Sequence, residues 1–219
     1  MKELNTYEKE LLHQVAELDA LPVGAYNIRA NGASAARNTT AHIDIVTKTD
    51  KPGIDIIIKP GTVNESVHIP VIISESGLKD NVYNDFFIGE NCDVTIIAGC
   101  GIHNCGSGDS QHDGIHTFFV GENSKVRYVE KHYGEGEGRG KRFMNPTTIV
   151  HLNRNARMEM ETTQIAGIDD TLRKTTADLA EGSSLVIHDK IMTTGDQHAI
   201  AEFDADLNGA GSSCNIVSR

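Results

Sequence analysis

The chain has 219 residues, with 20 Lys and Arg against 31 Asp and Glu and a formal net charge of −11. That length suits one elongated domain, and the negative balance repels phosphate backbones and the anionic membrane leaflet alike, which sets nucleic acid and lipid aside as partners. No apolar run approaches the ~20 residues that span a bilayer, the N-terminus has no signal-peptide apolar region, and four cysteines are too few for a disulfide framework, so the expected location is the cytoplasm.

Tryptophan is absent, glycine reaches 21 residues, and Val, Ile and Thr recur in short runs, a profile that suits a thin, turn-rich β protein. One helix is predicted near the start, over residues 5–21. Tyr7, Leu11, Val15 and Leu18 follow helical spacing, and Leu12 widens the apolar stripe. Asn5 supplies an N-cap with Glu8 three residues on, and Pro22 disfavours helical ψ at Leu21. After Asn31-Gly32 the signals change to short strands at His42 to Thr47, Ile54 to Ile58 and Val67 to Ser74. Pro70 implies a sheet edge or a bulge in the last of these.

From Ile88 onward one unit recurs: an apolar anchor, a turn, a small residue and another apolar strand. Its copies are Ile88-Gly-Glu-Asn-Cys-Asp-Val94, Val120-Gly-Glu-Asn-Ser-Lys-Val126, Leu152-Asn-Arg-Asn-Ala-Arg-Met158 and Leu179-Ala-Glu-Gly-Ser-Ser-Leu185, with a looser one through Leu207-Asn-Gly-Ala-Gly-Ser-Ser213. The anchors lie 27 to 32 residues apart, and each copy then alternates apolar and polar residues, so the units are β coils stacked in a parallel β-helix. A β-sandwich with look-alike turns is the competing architecture, and the near-equal spacing argues against it. Stacking predicts a ladder of small residues, Cys92, Ser124, Ala156 and Ser183, at a tight corner. The reading divides the chain into a helix and lead-in, residues 1–30, and a β-helical core, residues 31–219. The helix is expected to cap the first end, while the strand-like 214–219 segment stops inside a repeat, so the core is expected to be incomplete at the C-terminus, with either further residues or another chain pairing there.

The densest set of ligand-type side chains is Cys100, His103, Cys105, His112 and His116, in the Gly-rich stretch from Gly99 to Gly114. Thiolate and imidazole suit iron, zinc or an iron–sulfur cluster. The spacing is not a standard one: on a continuous strand His112 and His116 would stand ~13 Å apart, so sharing an ion requires a bend at Gly114. The plain alternative is that Cys100 packs as a small hydrophobe and the histidines line a solvent loop. Cys92, in the small-residue ladder, reads as structural, and Cys214 as reactive only if exposed.

Gly134-Glu-Gly-Glu-Gly-Arg-Gly140 invites a phosphate-loop reading but fails it, because Glu135 stands where the motif needs glycine and Arg142 where it needs Ser or Thr. A mobile charged loop is the expectation there. Asp169, Asp170, Asp196, Asp204, His188 and His198 could be assembled into a hydrolase site but read mostly as solvated turn residues, and the repeat allows His188 to neighbour residues near Asn215 without fixing that geometry.

Several phrases in order resemble one family. Leu21-Pro-Val-Gly-Ala-Tyr-Asn-Ile-Arg29, Lys51-Pro-Gly-Ile-Asp-Ile-Ile-Ile-Lys-Pro-Gly61, Gly114-Ile-His-Thr-Phe-Phe-Val-Gly-Glu-Asn123, Gln164-Ile-Ala-Gly-Ile-Asp169 and Leu207-Asn-Gly-Ala-Gly-Ser-Ser213 look like the compact SufB/SufD proteins of iron–sulfur cluster assembly in anaerobic bacteria and archaea. The resemblance implies a right-handed parallel β-helix that forms a homodimer or heterodimer. It also implies partnership with the ABC-type ATPase SufC, and transient holding of iron–sulfur clusters fed by a cysteine desulfurase. Family members usually continue past the equivalent of Arg219, and the segments tied there to cluster assembly and to SufC have no counterpart in this sequence. The expected function is a non-enzymatic scaffold or partner subunit of a SUF-type system. The alternatives are a structural β-helical module that pairs with a longer homologue, and a carbohydrate-active β-helix enzyme.

Overall fold

The computed structural model describes residues 4–219 and consists of one helix and two stacks of β-strands. In chain order these are α1 (Thr6–Ala16), β1 (Ala25–Ala30), β2 (Ala33–Asn38), β3 (Ile43–Thr47), β4 (Gly53–Ile58), β5 (Val63–Ile73), β6 (Lys79–Ile88), β7 (Asp93–His103) and β8 (Ser110–Val120), followed by β9 (Lys125–Glu135), β10 (Arg142–Met144), β11 (Thr147–Leu152), β12 (Arg157–Ala166), β13 (Asp170–Leu179), β14 (Ser184–Ile191), β15 (His198–Leu207) and β16 (Ser213–Ser218). Sheet A runs β16-β14-β12-β9-β7-β5-β1-β2. Sheet B runs β13-β11-β8-β6-β4-β3, with β15 beside β13 and the short β10 bridging β8 and β13. Each coil climbs one strand of sheet B, turns a corner and returns along sheet A, which gives a parallel β-solenoid. The two antiparallel pairings, β1 with β2 and β3 with β4, lie at the first end and close it as hairpins.

The corner is where sequence and fold meet most directly. Ile88, Val120, Leu152, Leu179 and Leu207 stack in register, and Ile58 extends the column one coil further back than the repeat indicated. At each turn one residue adopts the left-handed conformation: Gly61, Asn91, Asn123, Asn155, Gly182 and Gly211. Glycine takes that conformation without a steric penalty and asparagine more readily than most residues. The asparagines also ladder, Asn155 Nδ2 donating to Asn123 Oδ1 at 3.2 Å and Asn123 Nδ2 to Asn91 Oδ1 at 3.5 Å. The next residue is buried in the four coils where it is Cys92, Ser124, Ala156 or Ser183, as expected. Beyond the corner the inward side chains are apolar, with Phe86 stacked on Phe118 at 4.4 Å between ring centres, and each fully buried aliphatic side chain contributes roughly 1.5–3 kcal/mol.

Four expectations need correction. The helix starts as predicted, with a capping box in which Glu8 N–H donates to Asn5 Oδ1 and Asn5 N–H to Glu8 Oε2. It ends at Ala16 and not at Leu21, because Glu17 turns left-handed and Leu18 N–H closes back on Leu12 O. Its capping is lateral. It lies on the outer face of β5, β7 and β9, where a Cβ on Gly99 would sit 2.3 Å from the Val15 carbonyl oxygen and one on Gly101 3.0 Å from Leu11 Cδ2. Those two glycines therefore admit the helix.

Pro70 sits in β5, an internal strand, and not at an edge. The ladder from β1 skips Ile69 and Pro70, so the missing proline N–H leaves no carbonyl waiting. Residues 134–140, expected to be a mobile loop, lie flat on residues 104–108. A Cβ at Gly136, Gly138 or Gly140 would fall within 2.0–2.4 Å of the Asn104, Gly106 or Gly108 carbonyl oxygens. Alternate glycines are what two backbones at that separation require.

Candidate functional site

Strand alternation divides the five ligand-type side chains between the two faces of the solenoid wall. Cys100, His112 and His116 point inward, Cys100 among Val71, Ile102, Met144 and Ile168. His103 and Cys105 lie outside, where the His103 ring stacks on Tyr7 of the helix at 4.2 Å. Cys105 Sγ is 3.0 Å from His103 Nε2, and His103 Nδ1 is 2.9 Å from Glu135 Oε1 of the neighbouring coil. The five thus do not form one ligand set, and among the described residues no group of three or more His, Cys, Asp or Glu side chains is arranged to hold a metal ion. Nor are the histidines on a solvent loop, since His112 and His116 are 1% and 5% exposed. Strand β8 runs through Gly114 without the bend that ion sharing required, in register with Val82. Instead both imidazoles lean over the glycine, with His112 Nε2 and His116 Nε2 only 3.3 and 3.1 Å from where a Cβ would be.

These two histidines belong to a buried polar column that fills the interior on the side away from the corner. In sheet A it comprises Tyr128, Glu130 and His132 of β9, Thr162 and Gln164 of β12, and Asp189 of β14; in sheet B, Asp80, Asn84, His112, His116, Thr171 and Arg173. Glu130, Thr162, Asp189 and Ser218 occupy one register position, as do Asn84, His116, Thr148 and Thr175 across from them. The hydrogen bonds run along the stack. Asn84 Nδ2 faces His116 Nε2 at 3.4 Å, His116 Nδ1 is 2.9 Å from the Tyr128 hydroxyl, and that hydroxyl donates to Glu130 Oε1 at 2.9 Å. Arg173 Nη2 donates to His132 Nδ1 at 3.2 Å, while its Nη1 lies 3.7 Å from Glu130 and 3.4 Å from Asp189. Toward the first end Arg29 makes a two-pronged bond to Asp80, at 2.9 and 2.7 Å, and His112 Nδ1 stands 3.4 Å from the same carboxylate.

Burial governs the protonation of this column. It pushes His116 down to about 4 and lowers His132, so both rings are neutral at pH 7. The same burial drives the Cys100 thiol and the Tyr128 hydroxyl well up, with the Glu130 charge adding to both, so neither ionises. For Glu130 burial works upward, but the pull it would share with a protonated His132, together with the Arg173 cation, outweighs burial and holds the carboxyl low. Asp80 is likewise held low against its burial by Arg29 and His112. Both ring nitrogens of His112, His132 Nε2, and Nε and Nη1 of Arg173 have no hydrogen-bond partner. Such under-satisfied polar atoms inside a core are costly, which marks the column as the feature of this interior least explained by stability alone.

Sequence reasoning found His112 and His116 but missed Tyr128, Glu130, His132, Arg173 and Asp189. A signal for the β9 members was present: counting by two from the inward anchor Val126 places Tyr128, Glu130 and His132 inward. Of the remaining cysteines, Cys92 is buried and donates weakly to Lys59 O, and Cys214 is half-buried with its thiol raised by burial. His188 aligns with Val217, two residues from Asn215, as the repeat allowed. Asp169 is not a free turn acid, since it binds the Arg142 guanidinium at 2.9 Å and also accepts from the Arg142 backbone N–H at 2.8 Å.

No protein-family profile, curated protein or solved structure matches the chain. What the fold defines is a parallel β-solenoid with an apolar corner, a charged polar interior and a lateral helix, and no helix among the described residues is long and apolar enough to cross a membrane.

Proposed function

We propose that this chain is a non-enzymatic scaffold or partner subunit of SUF-type iron–sulfur cluster assembly, working in the cytoplasm through its solenoid surface. The cluster is cargo, handled together with an ABC-type ATPase, a cysteine desulfurase and a second β-helical subunit. The observation that carries the reading is the ordered set of SufB/SufD-like phrases, whose implied β-helical core agrees with the solenoid architecture. The divided ligand set argues that cluster ligands come from more than this chain's Cys100 to His116 stretch.

The last coil supports a role in assembly. Strands β15 and β16 end their respective stacks with one ladder edge each unpaired, and the inward anchors Leu207 and Ile216 are 51% and 38% exposed. Phe203, Ala205 and Cys214 beside them are only partly covered. An open edge over uncovered apolar side chains favours a further β coil stacked on it, whether from chain beyond Arg219 or from a partner. The same coil favours a second reading, a purely structural module that pairs with a longer homologue.

The test is anaerobic size exclusion of the chain mixed with a SufC-type ATPase and, separately, with a full-length SufB/SufD-type homologue. The scaffold reading expects a complex containing the ATPase, weakened by Ile216→Lys in a variant whose circular dichroism is unchanged. Pairing with the homologue alone, and no ATPase in the complex, favours the structural module. No complex with either overturns both. Equal iron uptake by wild type and a Cys100→Ser, Cys105→Ser double variant after iron and sulfide reconstitution would remove those cysteines from any cluster role.

A further inference from the structure

Outside the polar column, three side chains make a nucleophile, a base and an orienting acid in sequence: Cys105, His103 and Glu135. The Glu135 carboxylate accepts from His103 Nδ1 at 2.9 Å, which fixes the tautomer and leaves Nε2 with its lone pair toward Cys105 Sγ, 3.0 Å away. That is the arrangement in which an imidazole takes a thiol proton. We propose that Cys105 is a thiol-exchange nucleophile that reacts with small disulfides at the outer surface of the solenoid.

The surroundings hold this geometry in place. The His103 ring is clamped against Tyr7, and Glu135 is the in-register neighbour of His103 across the β7–β9 ladder. The loop that carries Cys105 is pinned on both sides of it. Asn104 N–H donates to Glu135 O at 2.9 Å, Asn104 Nδ2 to Gly108 O at 2.9 Å, and Gly106 N–H to Asn104 Oδ1 at 3.0 Å. Gly138 and Gly140 N–H groups then donate to Asn104 O and Gly106 O from the loop packed above. A thiol on a loop so restrained keeps its approach to the base, and Cys105 is the exposed one of the four cysteines.

In the step itself, the Cys105 thiol proton passes to His103 Nε2 and the thiolate sulfur attacks one sulfur of the disulfide. The S–S bond breaks, a mixed disulfide forms on Cys105, and the leaving thiolate takes the proton back from the imidazolium. Atoms and electrons balance as one disulfide plus one thiol giving another disulfide and another thiol. Glu135 beside the site and the chain's net charge of −11 favour uncharged or cationic disulfides over anionic ones.

The experiment exposes the native protein at pH 7 to cystamine and, separately, to oxidised glutathione, with peptide mass mapping of all four cysteines over time. The expected result is modification of Cys105 at least about tenfold faster than Cys214, with cystamine faster than glutathione disulfide. In His103→Gln the rate at Cys105 falls about tenfold at pH 7 and recovers at higher pH, while Glu135→Gln gives an intermediate profile. A rate–pH profile unchanged by both substitutions, or a Cys105 no faster than Cys214 in the wild type, overturns the proposal. The pH profile separates base assistance from simple exposure, which neither substitution would alter.

Discussion

Ser124 joins two coils through a single oxygen: its Oγ accepts from Cys92 N–H at 2.9 Å and donates to Gly89 O at 2.7 Å. One hydroxyl thereby satisfies two buried main-chain groups at the corner. At Ser124 the small-residue ladder is therefore a hydrogen-bonding device as well as a space requirement, whereas Ala156 meets the space requirement alone. Ser124→Ala should cost about 1–3 kcal/mol by leaving both groups without a partner. Urea denaturation reads this as a lower midpoint with unchanged slope, and an unchanged midpoint would show that water replaces the hydroxyl.

Stability should fall as the pH drops from neutrality, beginning above the range in which ordinary carboxylates titrate. Folded His116 takes its proton only at about 4, whereas the unfolded ring takes it near 6.5. Between those values the unfolded state binds more protons, so stability is intact above pH 6.5 and declines toward pH 4, by roughly 3 kcal/mol for this one group. His132, lowered in the same way, adds to the slope. Denaturant midpoints measured from pH 7.5 to 4.5 should show the decline, and His116→Gln should flatten it.

Arg173 neutralises two buried carboxylates, Glu130 and Asp189, that sit two coils apart on the opposite wall. Arg173→Met should cost about 3–5 kcal/mol, because it strands both charges in the interior. Adding Glu130→Gln and Asp189→Asn to that variant should recover much of the loss. Thermal unfolding of the single and triple variants compares them directly, and a triple variant no more stable than the single would mean that the column packs by shape and not by charge.

The glycines of the 134–140 segment should be intolerant where their exposed neighbours are not. A Cβ at Gly140 would lie 2.0 Å from Gly108 O, so Gly140→Ala should destabilise by about 1–3 kcal/mol through forced separation of the two backbones. Arg139→Ala, at an exposed position next to it, should change stability by less than about 0.5 kcal/mol. Amide hydrogen exchange over residues 104–108 should rise in the glycine variant alone.

The recurring anchor, turn and small residue made the solenoid legible from sequence, because the corner geometry recurs in each coil and each coil must meet it with the same few residue types. Asn91, Asn123 and Asn155 are left-handed turn residues, and Val120, Leu152 and Leu179 are inward anchors, for reasons local to a few positions. The same locality explains the helix start at Asn5. It does not extend to the helix end, where Glu17 turns left-handed beside Lys131 of β9. The polar column was legible only in part for a related reason. Alternation assigns Glu130 and His132 to the inner face once Val126 is fixed, but nothing in a single strand tells what lies opposite.

Stacking supplied that information. It set Arg173 against residues 41 and 43 positions earlier in the chain, drew Glu135 to His103 across one coil, and put Cys105 outside the wall while Cys100 stayed within. Sequence alone therefore determined the repeat and the class of fold, since these follow from backbone conformation and side-chain period. Only the tertiary structure decided which charged side chains meet, because contacts between residues roughly thirty positions apart arise from the ~4.8 Å spacing between coils and not from any property of the chain nearby.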